Sequence, residues 1–180
     1  MKISTHENTL VCCRFQIEAL DKQLEDIFRD IAASIAIYDG MASISKVNRN
    51  CQRRINTLSS ELAQEINDFQ CWFWEVRAIQ RLKDKAERVK RDIDENLREC
   101  HAEITRIATK TMEKASSISP TIKNNIGLRL HEYTYQATNE LDNSCKASQT
   151  RIRNSIEYRL DHNPGFLAAV LGFIFSLFGW

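Results

Sequence analysis

The chain has 180 residues with only 5 Gly and 2 Pro, too few breakers for the frequent turns of an all-β or βαβ fold. Lys and Arg together number 25 and Asp and Glu number 24, so the near-zero net charge excludes a strongly basic nucleic-acid-binding protein. The sequence predicts an all-α fold of long antiparallel helical hairpins, either a coiled coil or a four-helix bundle, followed by a short hydrophobic C-terminal helix.

The first predicted helix spans about residues 4–38. Its apolar positions recur at alternating spacings of three and four residues, the pattern of a coiled-coil seam over about four heptads. The seam positions are Leu10, Cys13, Ile17, Leu20, Leu24, Ile27, Ile31, Ser34 and Tyr38. Asp39-Gly40 then offers a left-handed position of the kind that favours a helix end, so the first helix is predicted to stop before it.

The second predicted helix covers about residues 41–117, and the third covers about 121–161 after Pro120. The first and third helices together match the second in length, so each is expected to fold back on one half of it. The second helix is then either one continuous rod or is broken near 67–74, in which case the hairpins close into a four-helix bundle.

Motifs for chemistry are absent from the sequence. It has no glycine-rich phosphate loop, no HExxH and no GxSxG motif, so we expect no catalytic, cofactor-binding or metal-binding residues, no small-molecule substrate and no nucleic-acid partner. The N-terminus lacks the apolar stretch of a signal peptide, and no CxxC pair is present. The cysteines are therefore predicted to be reduced, small apolar residues; they are Cys12, Cys13, Cys51, Cys71, Cys100 and Cys145.

The C-terminal segment, residues 166–180, is uncharged and rich in Phe and Leu. A hinge at residues 163–165, containing Pro164 and Gly165, is predicted to separate it from a helical domain of residues 1–162. As a helix the segment would span roughly 22 Å against a hydrocarbon core of about 30 Å. It is predicted to insert into a membrane, while an apolar plug docked into the protein's own bundle is the alternative.

Two sets of tail residues are predicted to act in the membrane. The set for membrane insertion is Phe166, Leu167, Val170, Leu171, Phe173, Ile174, Phe175, Leu177, Phe178 and Trp180. The set of small residues that would let tails pack together within lipid is Ala168, Gly172, Ser176 and Gly179.

Two further groups are expected near the start of the tail. Aromatic side chains for a membrane interface or a packed helix junction are Phe69, Trp72, Phe73 and Trp74. A basic collar for anionic lipid or a partner comprises Arg77, Arg81, Lys83, Lys85, Arg88, Lys90, Arg91, Arg151, Arg153 and Arg159. Ordinary solvated flanks of a coiled coil are the alternative for the collar.

These features favour a non-enzymatic, membrane-associated helical scaffold, tether or assembly protein, anchored by its tail on the cytoplasmic side of a membrane. Membrane lipid and other coiled-coil chains, including further copies of this one, are the expected partners. Two alternatives use the same residues. One is a membrane-disrupting or pore-forming effector that releases the tail, and the other is a soluble coiled-coil interaction module whose tail is buried in a partner or an oligomer core.

Overall fold

The computed structural model describes residues 4–69, 76–115, 120–162 and 166–179. It contains four helices, α1 (Ser4–Asp68), α2 (Val76–Lys114), α3 (Pro120–His162) and α4 (Phe166–Leu177). No strand occurs among these residues. The predicted all-α fold with a short hydrophobic C-terminal helix is confirmed.

The predicted end of the first helix before Gly40 is wrong, and so is the expected fold-back of residues 4–38 onto the chain that follows. α1 continues through Gly40 for 65 residues in all, about 97 Å at 1.5 Å per residue. The reason is tertiary packing, because Thr111 of α2 lies against this glycine. A Cβ placed at Gly40 would lie 2.7 Å from the Thr111 Cγ2 atom, so the glycine serves the close approach of two helices.

The chain instead leaves its first long helix at Asp68, since Phe69 is not helical and α2 begins at Val76. These bounds agree with the alternative in which the predicted second helix is broken near residues 67–74. Neither Gly nor Pro marks the end of α1. The Arg159 guanidinium of α3 donates a hydrogen bond to the Phe69 carbonyl, which supplies a cation to a helix end whose carbonyls have no partner within the helix.

α1 and α2 run antiparallel. Lys85, early in α2, forms an ion pair with Glu65 near the end of α1. Further along α2, the Asn96 Nδ2 atom donates to the backbone oxygen of Cys51 over 3.3 Å. Residue numbers therefore fall along α1 as they rise along α2, as in a helical hairpin.

α3 returns alongside α1 in the same direction. The Asn48 amide donates to the Glu140 carboxylate over 2.6 Å, and the Asn67 amide donates to the Ser155 hydroxyl over 3.4 Å. The second half of α1, α2 and α3 thus form an up-down-up bundle. The largest fully buried side chains are Ile44, Ile55, Leu62, Ile66, Leu82, Ile93, Ile104, Leu130, Leu141, Ile152, Ile156 and Leu171.

The contact between Gly40 and Thr111 gives a stability prediction. Alanine is the better helix former by about 1 kcal/mol, yet Gly40→Ala should lower the free energy of unfolding by about 1–3 kcal/mol because the new methyl group overlaps Thr111. Urea denaturation measures this change. A second substitution, Thr111→Ala, should recover part of the loss.

Gly172→Ala is the matched control, because a Cβ there meets no atom within 4 Å. It should leave the stability unchanged or raise it. An increase in stability for Gly40→Ala as large as that of the control would contradict the packing at Gly40.

Candidate functional site

The first part of α1 stands outside the bundle. Every side chain from residue 14 to residue 29 is exposed, and Ala33 is the first buried one among the side chains that the structure describes. We call residues 4–32 the N-terminal arm; at 1.5 Å per residue it is about 43 Å long. In proteins most helical stability comes from packing of an apolar face against other structure, and the arm has no such packing among the described residues.

The arm has an apolar face with nothing packed on it among the described residues. Five residues of the predicted coiled-coil seam have between 50% and 58% of their surface exposed. We call them the arm seam; they are Ile17, Leu20, Leu24, Ile27 and Ile31. Contiguous exposed apolar surface of this kind is typical of a protein interaction site.

The arm seam is not a continuation of the face that α1 turns toward its own bundle. That inner face begins at Ala33 and Ile37, which pack with Ala115. Its earlier positions are Asp26 and Asp30, which are unsuited to an apolar core. The centre of the seam lies roughly 140° around the helix from Ala33 and Ile37 at 100° per residue. The bundle's own helices therefore do not cover it.

At the other end of the bundle, α4 is docked on the protein's own helices. Val170, Leu171, Ile174 and Phe178 are all buried and belong to the main hydrophobic core. Full burial of such side chains contributes about 1.5–3 kcal/mol each before ordering costs. This arrangement is the docked plug that the sequence allowed as an alternative to insertion in a membrane.

The remaining tail residues differ in exposure. Phe173, Phe175 and Leu177 are half-buried at the edges of α4, and Ala168, Gly172, Ser176 and Gly179 are exposed on its outer face. The small-residue set thus faces away from the bundle. Phe166 and Leu167 lie in the first turn of α4 with side chains that are not described. Pro164, Gly165 and Trp180 fall outside the described residues, so the predicted hinge does too.

The structure brings part of the basic collar onto the tail. The Lys83 ammonium lies 4.8 Å from the centre of the Phe173 ring, and the Arg153 guanidinium lies 5.6 Å from that of Phe175. Both distances suit cation–π interaction. Positive charge from α2 and α3 therefore borders the apolar helix on two sides.

Other collar residues are engaged within the protein. Lys85 pairs with Glu65, Lys90 with Asp94, and Arg153 also with Glu157. The Arg151 guanidinium donates to the hydroxyls of Ser59 and Ser60 on α1. Six members of the collar are exposed, namely Arg77, Arg81, Arg88, Arg91, Arg151 and Arg153. The collar therefore does not form a continuous ring of free cations.

The predicted aromatic cluster is described only in part. Phe69 is half-buried against the main core, as a packed helix junction would have it. Trp72, Phe73 and Trp74 lie outside the described residues.

No sequence-based prediction covers the buried polar layer that lies inside the bundle. Asn96 is only 5% exposed, and its amide contacts both the backbone oxygen and the thiol of Cys51. Its position within the apolar line of α2 is the sequence signal that could have revealed it. Buried polar residues of this kind can fix helix register.

The cysteines of this layer are unsuited to chemistry. Cys51, Cys100 and Cys145 are free thiols, while Cys71 and the side chains of Cys12 and Cys13 fall outside what the structure describes. Burial, and next to it the neighbouring Cys100, raises the pKa of the Cys51 thiol, and burial raises the pKa of Cys145. Both remain protonated at neutral pH, where the thiolate is the reactive form.

Nor does the described part of the chain offer a metal site, because no three His, Cys, Asp or Glu residues are grouped to hold an ion. No helix among the described residues has both the length and the apolar character needed to cross a membrane.

Comparisons of the whole chain with protein-family models, curated proteins and solved structures found no match. The candidate site is therefore defined by geometry alone: an unpartnered coiled-coil arm at one end of α1 and a docked apolar helix at the other.

Proposed function

We propose that this protein is a non-enzymatic helical scaffold that joins an assembly through its N-terminal arm. The observation that supports this proposal is the arm seam, a row of half-exposed Leu and Ile side chains on a helix that has left its own bundle. Work of this kind depends on the placement of helices and needs no catalytic group.

The size of the arm seam is sufficient for pairing. Full burial of a Leu or Ile side chain contributes about 1.5–3 kcal/mol, and the side chains of the seam are already about half buried. Two arms that cover one another would thus gain on the order of 10 kcal/mol, against association costs of about 4–15 kcal/mol. We expect an assembly that depends on protein concentration.

Sedimentation velocity of the full-length chain tests this assembly. The unsubstituted chain should sediment as a species larger than its 20.9 kDa monomer, and the fraction of the protein in this larger species should rise with protein concentration. Leu20→Gln combined with Leu24→Gln should give a monomer, because glutamine keeps helix propensity while removing the apolar seam.

Phe15→Gln is the matched control. Phe15 is 67% exposed but lies on the side of the arm opposite the seam, so its loss should leave the assembly intact. A monomeric unsubstituted chain, or equal assembly by the seam variant, would contradict the proposal.

We further propose that the tail end of the bundle contacts an anionic membrane surface, which would make the scaffold a tether. This is supported by the exposed outer face of α4 and by Lys83 and Arg153 beside its phenylalanines. Basic residues near such a surface contribute about 1 kcal/mol each. Because α4 lies at the Asp68 end of α1 and the arm seam is centred on Leu24, membrane and assembly partner would be held about 66 Å apart at 1.5 Å per residue.

Flotation with vesicles tests this second role. The full-length chain should float with phosphatidylserine vesicles and less with phosphatidylcholine vesicles. Gly172→Glu with Ser176→Glu puts two charges on the outer face of α4 and should reduce flotation several-fold. Thr105→Glu with Thr109→Glu, at exposed positions four residues apart on α2, is the control of equal charge.

Absence of flotation with either vesicle would contradict the membrane role and leave α4 as a structural plug. Flotation accompanied by release of an encapsulated dye would favour the membrane-disrupting alternative, in which the tail leaves the bundle.

A further inference from the structure

The arm seam has the heptad order of a coiled coil. Ile17, Leu24 and Ile31 occupy the a positions, and Leu20 and Ile27 occupy the d positions. In an antiparallel pair of helices, a residues of one strand stand opposite d residues of the other. Ile17 of one arm can therefore lie opposite Leu20 of a second, identical arm.

The length of the arm selects one antiparallel register. With Ile17 opposite Leu20, Ser4 of one copy is level with Ala33 of the other, the residue at which the bundle begins. The two arms then overlap along their whole length. A shift by one heptad in one direction would drive an arm into the other bundle, and in the other direction it would bring the two Arg14 side chains opposite one another.

Charge along the arm agrees with this register. Arg14 and Asp21 are exposed and occupy e positions beside the seam. In the antiparallel register, Arg14 of each copy faces Asp21 of the other, so the two-fold axis generates this pair twice.

A parallel pair brings together different residues. There each e position faces the g position five residues earlier on the other strand, so Arg14 would meet Thr9 and Asp21 would meet Gln16. Neither Arg14 nor Asp21 forms an ion pair between the strands in that arrangement.

We propose that two copies of this chain pair their N-terminal arms antiparallel, with Ile17 opposite Leu20 and Arg14 opposite Asp21. This inference rests on the proposed assembly through the arm and adds the partner, its direction and its register. The dimer has the two bundles, and with them the two α4 helices, at opposite ends of one rod.

Charge reversal in the full-length chain tests the orientation. Asp21→Arg should raise the dissociation constant of the dimer about tenfold, because it creates two like-charge contacts between the strands. Arg14→Glu should raise it at least as much, because it also replaces the 3.2 Å ion pair of Arg14 with Glu18 of the same helix by a like-charge pair. Combining the two substitutions should restore the dissociation constant nearly to that of the unsubstituted chain. Equilibrium sedimentation at low ionic strength measures all four proteins, and high salt should reduce the differences.

Asp21→Arg distinguishes contacts between the strands from effects within a single helix. An arginine at position 21 would attract Glu18 and Glu25 of its own helix, so stabilisation of a single arm predicts tighter assembly, whereas the antiparallel pair predicts weaker assembly. Lys22→Glu, an exposed charge reversal on the side away from the seam, should change nothing, and circular dichroism checks that helix content is kept.

Two results would overturn the inference. If the single reversals leave the dissociation constant unchanged while Leu20→Gln with Leu24→Gln still abolishes assembly, the arm pairs in another orientation and the proposed function stands. If the unsubstituted chain is monomeric at every concentration, both the inference and the proposed assembly are wrong.

Discussion

The close approach of α2 to α1 at Gly40 is the contact on which the rest of the architecture depends. Thr111 occupies the space that any larger residue at position 40 would need, and Ile37 and Ile44 are buried on either side of it along α1. A glycine within a helix costs about 1 kcal/mol relative to alanine, and this packing offsets the cost. Because α1 stays helical here, the residues before it are directed away from the bundle.

Two faces of α1 have different roles. One face holds the bundle together from Ala33 onward. Before Ala33, toward the N-terminus, the same face is polar at Asp30 and Asp26. The arm seam lies on another face and remains uncovered, which makes the arm a surface for pairing. At the far end, α4 and the turn that follows it bury four apolar side chains, so the chain itself closes the open end of the bundle. Assembly and tail contact are thus separated along one helix.

The sequence predicted the features that depend on composition and periodicity. Scarce Gly and Pro indicated an all-α chain, the alternating spacing indicated the seam, and the loss of charge after residue 162 set the tail apart. It failed where tertiary contact overrides local preference. Gly40 has the local signature of a helix end but lies in a helix because of Thr111, and α1 ends at Asp68 with no breaker. The docking of α4 depends on a complementary core that spacing alone does not reveal.

Small-angle X-ray scattering from the assembled full-length chain measures whether a continuous α1 extends its arm beyond the bundle to meet a second arm. Two chains that overlap along residues 4–33 should give a maximum dimension of about 150 Å. A helix broken at Gly40, with the arm folded back on the bundle, would give a dimension of roughly 60 Å and would contradict the account. A dimer no longer than about 100 Å would contradict the antiparallel arrangement.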